Sequence, residues 1–112
     1  MEIGERREGD IVILTPKGRI NNDTSPEFQP SLLAAVGNTA TKVVVDFSAV
    51  EYISSAGLRS LMMSSKQSKA AGGRLAVAAL TPMVKEIFTI SRFAMVVQVF
   101  DTVAEAVAAL SR

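Results

Sequence analysis

Two adjacent serines, Ser54 and Ser55, are the residues best placed in this sequence for regulatory chemistry. They follow the apolar run 43–47 and precede a segment with helical spacing, so they fall in a turn that leads into a helix. The first backbone N–H groups of a helix lack acceptors within the helix and carry a partial positive charge. A phosphate on Ser55 would be stabilised there by about 0.3–1 kcal/mol. Ser55 is therefore a candidate phosphoacceptor.

The same residues also have a purely structural interpretation. Serine is among the commonest N-cap residues, so Ser54 or Ser55 could simply cap the start of the helix. Gly57 follows Ser55 by two residues, and two roles for it are open. Its missing side chain could let a second chain or a nucleotide approach the backbone, or it could allow tight packing inside the domain.

The composition excludes most catalytic machinery. The 112 residues include neither Cys nor His, which removes thiolate chemistry, the usual neutral-pH base and the commonest metal ligand. Asp46 and Glu51 near a strand end lack an obvious third group for acid–base chemistry. Gly72 and Gly73 lack the spacing and the lysine of a phosphate-binding loop. These features predict a protein that is not an enzyme and has no cofactor, catalytic or metal site.

Charge and hydropathy limit the partners and the location. Twelve basic and eleven acidic residues leave a net charge of +1, which disfavours nucleic acid as the main partner. Charged residues between positions 2 and 8 interrupt any signal peptide, and no later apolar run approaches the length of a membrane span. We expect a cytoplasmic protein that does not insert into a membrane.

The elements that would position the serines follow from local periodicity. Short β-branched runs alternate with segments of helical spacing after an opening pair of strands, and residues 16–25 have the composition of a loop. The run 43–47 is typical of a central strand buried on both faces. The predicted strands cover 2–7, 11–15, 43–47, 74–79 and 96–100. Of the four predicted helices, the first ends at Gly37 and the second at Gly72, while the third begins after Thr81 and the fourth after Thr102. The first helix could begin at Ser25 or only at Pro30.

The predicted element order is ββαβαβαβα. Strands that are separated by helices need right-handed crossovers, which make a mostly parallel sheet, and the opening hairpin adds an antiparallel edge. With 48% hydrophobic residues and no linker or internal repeat, the chain is expected to form one α/β domain over residues 1–112 with about four helices.

The stretch around the two serines resembles a known family. Tyr-Ile-Ser-Ser-Ala-Gly-Leu-Arg at 52–59, after Val-Val-Val-Asp-Phe-Ser at 43–48, is similar to the signature of the STAS domain, named for sulfate transporters and anti-sigma factor antagonists. The resemblance covers nearly the whole chain, including the element order and the closing helix. It implies a stand-alone STAS domain with a mixed sheet and no catalysis of its own.

The resemblance also implies a switch. In that family, an anti-sigma factor that is a serine kinase with a histidine-kinase-like ATP fold phosphorylates a residue at the start of the second helix, which by position is Ser55. The unphosphorylated protein binds the kinase, phosphorylation breaks the complex, and a metal-dependent serine phosphatase restores it. Many members have acidic residues where this chain has Ser54 and Asn21, so Ser54 stays an alternative acceptor.

A docking face for the kinase is expected around Ser55. On the helix, Arg59, Met63, Lys66 and Ala70 form a stripe beside the core stripe, and an exposed Met beside an Arg suits an adaptable interface. The family fold would bring the loop after the second strand close to this helix. The expected docking face, with Ser55 at its centre, comprises Asn21, Asn22, Asp23, Thr24, Ser54, Ala56, Gly57, Arg59 and Met63.

Three functions are compatible with these features. The first is the phosphorylation-controlled anti-sigma factor antagonist. The second, also compatible with a STAS domain, is a constitutive accessory subunit of a membrane transporter or lipid-transport ATPase. The third is an enzyme or nucleotide-hydrolysing protein, which the missing His and Cys disfavour, although nucleotide binding near Gly57 stays open.

Overall fold

The computed structural model describes residues 1–37 and 39–112, and among them strands and helices alternate except for two pairs of consecutive strands. A short 3-10 turn, Phe93–Met95, precedes the last strand. In the described residues the strands are β1 (Glu2–Glu8), β2 (Ile11–Ile20), β3 (Lys42–Asp46), β4 (Val50–Ile53), β5 (Arg74–Ala78) and β6 (Gln98–Phe100), and the helices are α1 (Ser25–Val36), α2 (Ser55–Ala70), α3 (Pro82–Ile90) and α4 (Val103–Leu110).

The strands form one mixed sheet in the order β1-β2-β3-β5-β6, and β4 pairs with the second half of β2. β1 and β2 are antiparallel, and every other pairing among the described strands is parallel. The predicted antiparallel edge and parallel remainder are thus confirmed. β3 lies in the middle of the order, as the run 43–47 predicted.

Two layers of helices cover the sheet. Val43 and Val45 of β3 join the core under α1, α2 and α3, whereas Val44 packs in the smaller core under α4. Successive side chains of a strand point to opposite faces, so an uninterrupted valine run fills both cores. All three valines are 0% exposed.

The region between β2 and α2 differs from the prediction in two places. Residues 16–25 were expected to be a loop, but β2 continues to Ile20. The segment before Ser54 was expected to be only a turn, but it contains the strand β4, which pairs in parallel with β2 beyond a register shift between Gly18 and Arg19. Both differences have the same cause, because β4 and the second half of β2 pair with each other and each keeps the other extended.

Helix boundaries agree closely with the local signals. α1 takes the earlier of its two possible starts and keeps Pro30 in its interior, and Gly37 ends it with φ of 62°. Thr102 and Glu105 have the spacing of a capping box, and the Thr102 hydroxyl makes the N-cap bond of that motif by accepting from the Glu105 amide at 3.1 Å. Thr81 precedes α3 as predicted, but its hydroxyl donates to the Val50 carbonyl at 2.8 Å and fastens α3 to β4. The last strand begins only at Gln98, because the amides of Val96 and Val97 both donate to the Phe93 carbonyl and so continue the turn that the 3-10 segment begins.

None of the helices in the described part of the chain has the length and apolar content needed to cross a lipid bilayer.

Candidate functional site

The two halves of the expected docking face meet where β2 and β4 end. Ile20 pairs with Ile53 in the parallel register, and the Ser54 amide donates to the Ile20 carbonyl at 2.7 Å. Parallel strands present their carboxyl ends at the same sheet edge. The start of α2 and the loop 21–24 therefore lie side by side, as the resemblance to the family implied.

Ser54 and Ser55 have different structural roles. Ser54 is the N-cap of α2, with φ of −86° and ψ of 173°, and its hydroxyl oxygen accepts from the Gly57 amide at 3.3 Å. Ser55 is the first residue of the helix and its side chain is exposed. The geometry thus gives the capping role to the half-buried Ser54 and leaves Ser55 as the serine with an exposed side chain.

This division of roles predicts different stabilities for two alanine variants. We expect Ser54→Ala to lower the free energy of unfolding by about 1 kcal/mol, because it removes the cap. Ser55→Ala, the matched control one residue away, should change it by less than about 0.5 kcal/mol, as is usual for surface substitutions. Urea denaturation of both variants measures the difference. Equal destabilisation by the two variants would contradict the assignment of the cap.

Gly57 packs inward. A Cβ at this position would lie 2.6 Å from Ile53 Cγ1 and 2.7 Å from Ile20 Cγ2, both on buried side chains. Of the two alternatives left open by the sequence, the structure has tight packing. Gly57 is buried and therefore lies beneath the surface of the expected docking face.

The loop 21–24 is folded by two of its own side chains. The Asn21 side-chain oxygen accepts from the amides of Asp23 at 2.9 Å and Thr24 at 3.2 Å. The Thr24 hydroxyl donates to the Arg19 carbonyl at 2.8 Å and accepts from the Asn21 amide at 2.9 Å. Asn21 and Thr24 thus fix the turn, while Asn22 and Asp23 are exposed and available to a partner.

The helical residues of the expected docking face lie at the surface of α2 or are half-buried there. Arg59 is exposed, and Met63 is one of the large apolar side chains at the surface, 42% exposed. Ala56 is half-buried beside Ser55. Lys66 and Ala70 are also exposed, so the predicted stripe lies at the surface along its full length.

Sequence reasoning missed two neighbours of this surface. Gln29 of α1 donates to the Met63 sulfur at 3.6 Å and accepts from the Ser60 hydroxyl at 3.2 Å, so it joins α1 to the docking face. The Arg19 guanidinium lies 4.7 Å from the centre of the Tyr52 ring, a cation–π contact between paired residues of β2 and β4. Neither contact leaves a local signal, since each partner is about thirty residues away in the chain.

The acidic residues near the site lie in a turn or at the surface. Asp46 Oδ1 accepts from the Ser48 amide at 2.9 Å and stabilises the turn after β3, while Glu51 is exposed. In the part of the chain that the structure describes, no group of three Asp, Glu, His or Cys side chains is arranged to hold a metal ion. The arrangement as a whole offers a surface with one exposed hydroxyl at a helix start.

Comparison with known proteins gives consistent results. The chain matches the family model described as the STAS domain over residues 4–106. It is 33% identical over 99 residues to BtrV of Bordetella bronchiseptica, described as a candidate anti-sigma factor antagonist, and the match covers 88% of this chain and 85% of BtrV.

Solved structures share the same fold at lower identity. A candidate anti-sigma factor antagonist from Thermotoga maritima superposes with a TM-score of 0.88 at 23% identity, covering 98% of this chain and 95% of that one. The anti-sigma factor antagonist SpoIIAA in its unphosphorylated form gives a TM-score of 0.81 at 15% identity, covering 98% and 96%. Bacillus SpoIIAA in its phosphorylated form gives 0.71 at 14% identity, covering 96% and 98%.

Proposed function

Because this chain belongs to the STAS domain family, among its anti-sigma factor antagonists, we propose that it is a binding switch controlled by phosphorylation of Ser55. Unphosphorylated, it binds an anti-sigma factor that is also a serine kinase with a histidine-kinase-like ATP fold. Phosphorylation releases that partner, and a metal-dependent serine phosphatase resets the switch. The observation that carries the proposal is the exposed Ser55 side chain at the first position of α2, beside a serine already engaged as the cap.

The helix start is a favourable place for the phosphate. The first N–H groups of α2 carry partial positive charge, and Arg59 follows Ser55 by four residues, which places both side chains on one helix face. A guanidinium and a phosphate form strong, charge-assisted hydrogen bonds. The modified protein therefore keeps its fold, and the change is confined to the surface. The occurrence of the SpoIIAA fold in both phosphorylated and unphosphorylated forms supports this view.

The charge of the docking face explains why the partner leaves. Asp23 and Arg59 are its charged residues, so its formal charge is zero before modification. A phosphate adds nearly two negative charges, which brings the face to about −2. It also engages Arg59, which then no longer serves the partner. A partner that fits the neutral face would have to remove water from this new charge when it binds, and the free-energy cost of that desolvation opposes binding.

In this proposal the chain acts by binding alone, as one domain over residues 1–112, in the cytoplasm. Its docking surface combines the exposed residues Asn22, Asp23, Ser55, Arg59 and Met63 with the supporting or half-buried residues Asn21, Thr24, Ser54, Ala56 and Gly57. No step of this cycle needs a reactive group of this chain other than the Ser55 hydroxyl.

Peptide mass spectrometry of the protein from its native host tests the proposal. Trypsin releases the fragment 43–59, which contains Ser48, Ser54 and Ser55, and fragmentation separates the three sites. We expect phosphate on Ser55, with an occupancy that changes between growing and stressed cells. Phosphate only on Ser54 or Ser48 would overturn the assignment of the acceptor. Absence of phosphate in every condition, with an intact ATPase or transporter complex, would favour the accessory-subunit function.

A further inference from the structure

One side of α3 exposes large apolar residues. Met83 is 55% exposed and Ile90 is 76% exposed. Ile87, which is half-buried against the larger core, lies between them in the helix. Residues at spacings of three, four and seven share one side of a helix, so the three residues form a continuous row. Contiguous apolar surface of this kind is typical of sites that bind a partner.

The row faces α2. Lys85 is two residues from both Met83 and Ile87, which places it about 160° away from them around the helix. It lines a small recess with Val99 and Phe100 of β6, so the side of α3 that carries Lys85 faces the sheet edge formed by β6. Right-handed crossovers place α2 and α3 next to each other on the same face of the sheet. The row, on the side away from β6, therefore lies toward α2.

The side of α2 that faces α3 is also apolar. α1 packs on the other side of α2, where the Gln67 side chain donates at 2.8 Å to the carbonyl of the residue that caps the end of α1. Toward α3, the Ser65 hydroxyl donates at 3.5 Å to the carbonyl of Val96, in the segment that follows α3. Leu58 and Met62 precede Ser65 by seven and three residues, so they share its side of the helix. Both are half-buried against the larger core.

Two apolar rows thus line the space between the two helices. Among the described elements, the backbone of α2 packs closely on α1 but not on α3, which packs on β4 and the 3-10 turn. Ser55 precedes Leu58 by three residues and Met62 by seven, so it stands at the head of the α2 row. The first turns of α2 and α3 both follow the carboxyl ends of parallel strands, at one edge of the sheet. The α2–α3 strip, which begins at this edge beside Ser55, comprises Leu58, Met62, Met83, Ile87 and Ile90.

The border of the strip along α2 is positively charged. Arg59, Lys66 and Lys69 are exposed on this helix, which contains no Asp or Glu. In the part of the chain that the structure describes, none of these three side chains pairs with a carboxylate. On the α3 border, the exposed Glu86 lies between the two ends of the apolar row. The strip therefore has a cationic edge along α2 and an acidic residue along α3.

We propose that the α2–α3 strip binds an amphipathic helix of the anti-sigma factor kinase, with acidic residues of that helix above α2. The inference rests on the proposed function and names the chemistry of the partner that the switch controls. A helix that docks in an apolar groove uses anchors up to seven residues apart, about 10 Å, and Met83 and Ile90 have the same separation. A second copy of this chain is a poorer occupant, since a two-fold axis along α2 would bring two cationic edges together.

The position of Ser55 links this surface to phosphorylation. A partner helix on the strip covers the start of α2, so the phosphate would have to be desolvated beneath it. Nearly two negative charges there would also repel the acidic edge of that helix and engage Arg59, the nearest cation of the α2 border. The apolar strip thus provides the affinity, and Ser55 controls it.

Calorimetric titration of the full chain with the anti-sigma factor kinase purified from the native host tests the apolar contacts. Met83→Gln and Ile90→Gln should each weaken binding about tenfold, because each places a polar group on the strip. Thr89→Gln, the matched control, puts the same residue on α3 outside the strip and should leave the affinity unchanged. All three side chains are exposed, so the variants are expected to fold. Binding of all three variants with the affinity of the unmodified chain would overturn the inference.

A second pair of variants tests the charged edge. Lys66→Gln should weaken binding about threefold and reduce the dependence of Kd on salt, because it removes a cation at the rim of the interface. Lys85→Gln removes the same charge from the side of α3 that faces β6, and it should change neither quantity. The same affinity and salt dependence for both variants would refute the acidic edge of the partner.

Ser55→Asp separates this inference from the proposed switch. Weaker binding by both Ser55→Asp and Met83→Gln would support the switch and the strip. A loss with Ser55→Asp alone would refute the strip and leave the switch in place, whereas a loss with Met83→Gln alone would support the strip and refute the switch. Sedimentation of the free chain tests the second copy as occupant, since a dimer that Met83→Gln dissociates would overturn the proposal.

Discussion

Ser55→Asp is expected to weaken binding to the anti-sigma factor kinase by about 100-fold, while Ser55→Ala binds as tightly as the unmodified protein. Desolvating a charge that is added inside an interface costs several kcal/mol, and each 1.4 kcal/mol is a factor of ten in Kd. The fold is not at risk, because a carboxylate at the first position of α2 interacts favourably with the helix dipole. Calorimetric titration with the copurified partner measures the three affinities.

Thr102→Asp is the matched control for this experiment. It adds the same charge at the start of another helix, where aspartate is a good N-cap, and α4 covers the opposite face of the sheet. Its affinity for the partner should equal that of the unmodified protein. Equal binding by Ser55→Asp and Ser55→Ala would show that charge at Ser55 is irrelevant and would refute the switch. A similar loss with Thr102→Asp would point to a general charge effect instead.

The largest effect on stability is expected for Gly73→Ala. A Cβ at Gly73 would overlap the Thr41 carbonyl oxygen and lie 3.0 Å from the Thr41 nitrogen. This backbone cannot easily move, because the Arg74 amide donates to the same carbonyl at 3.2 Å and Lys42 pairs with Arg74 in the sheet. We expect the free energy of unfolding to fall by about 2 kcal/mol, a typical cost of overpacking. Chemical denaturation measures it.

Gly4→Ala makes the same chemical change without the overlap. A Cβ there would lie 3.7 Å from its nearest neighbour, the Thr15 Cβ, which is ordinary van der Waals contact. Replacing a glycine at a compatible site leaves stability unchanged or raises it by up to about 1 kcal/mol. If Gly73→Ala were as stable as Gly4→Ala, the expected cost of overpacking would be absent. The backbone of Thr41, just before β3, would then be able to move away from the turn before β5 despite the hydrogen bond that joins them.

Most of the fold could be predicted from sequence because most of its signals are local. The valine run of β3, the capping box at Thr102 and the glycine that ends α1 each act within a few residues. β4 escaped this reasoning, since its four residues are extended through their pairing with β2, about thirty residues earlier. The length of β2 was underestimated for the same reason. Tertiary pairing decides such short strands, and local propensity does not.

The candidate site shows the same limit at the level of single side chains. The sequence placed a serine at the start of α2 but could not say which of Ser54 and Ser55 caps it, because both have the same chemistry. It left Gly57 open between contact and packing, since only the positions of Ile20 and Ile53 decide that question. Gln29 gave no signal at all, because its role depends on the packing of α1 against α2.

The bond between Ser54 and Ile20 has a consequence for the speed of the switch. This bond and the packing of Gly57 against Ile20 and Ile53 join the loop 21–24 and the start of α2 into one preformed surface. A partner that meets a preformed surface does not wait for a segment to order, so association is limited by encounter and orientation. In the proposed switch, the response time is then set by the turnover of the kinase and the phosphatase, and binding by this chain adds no delay of its own.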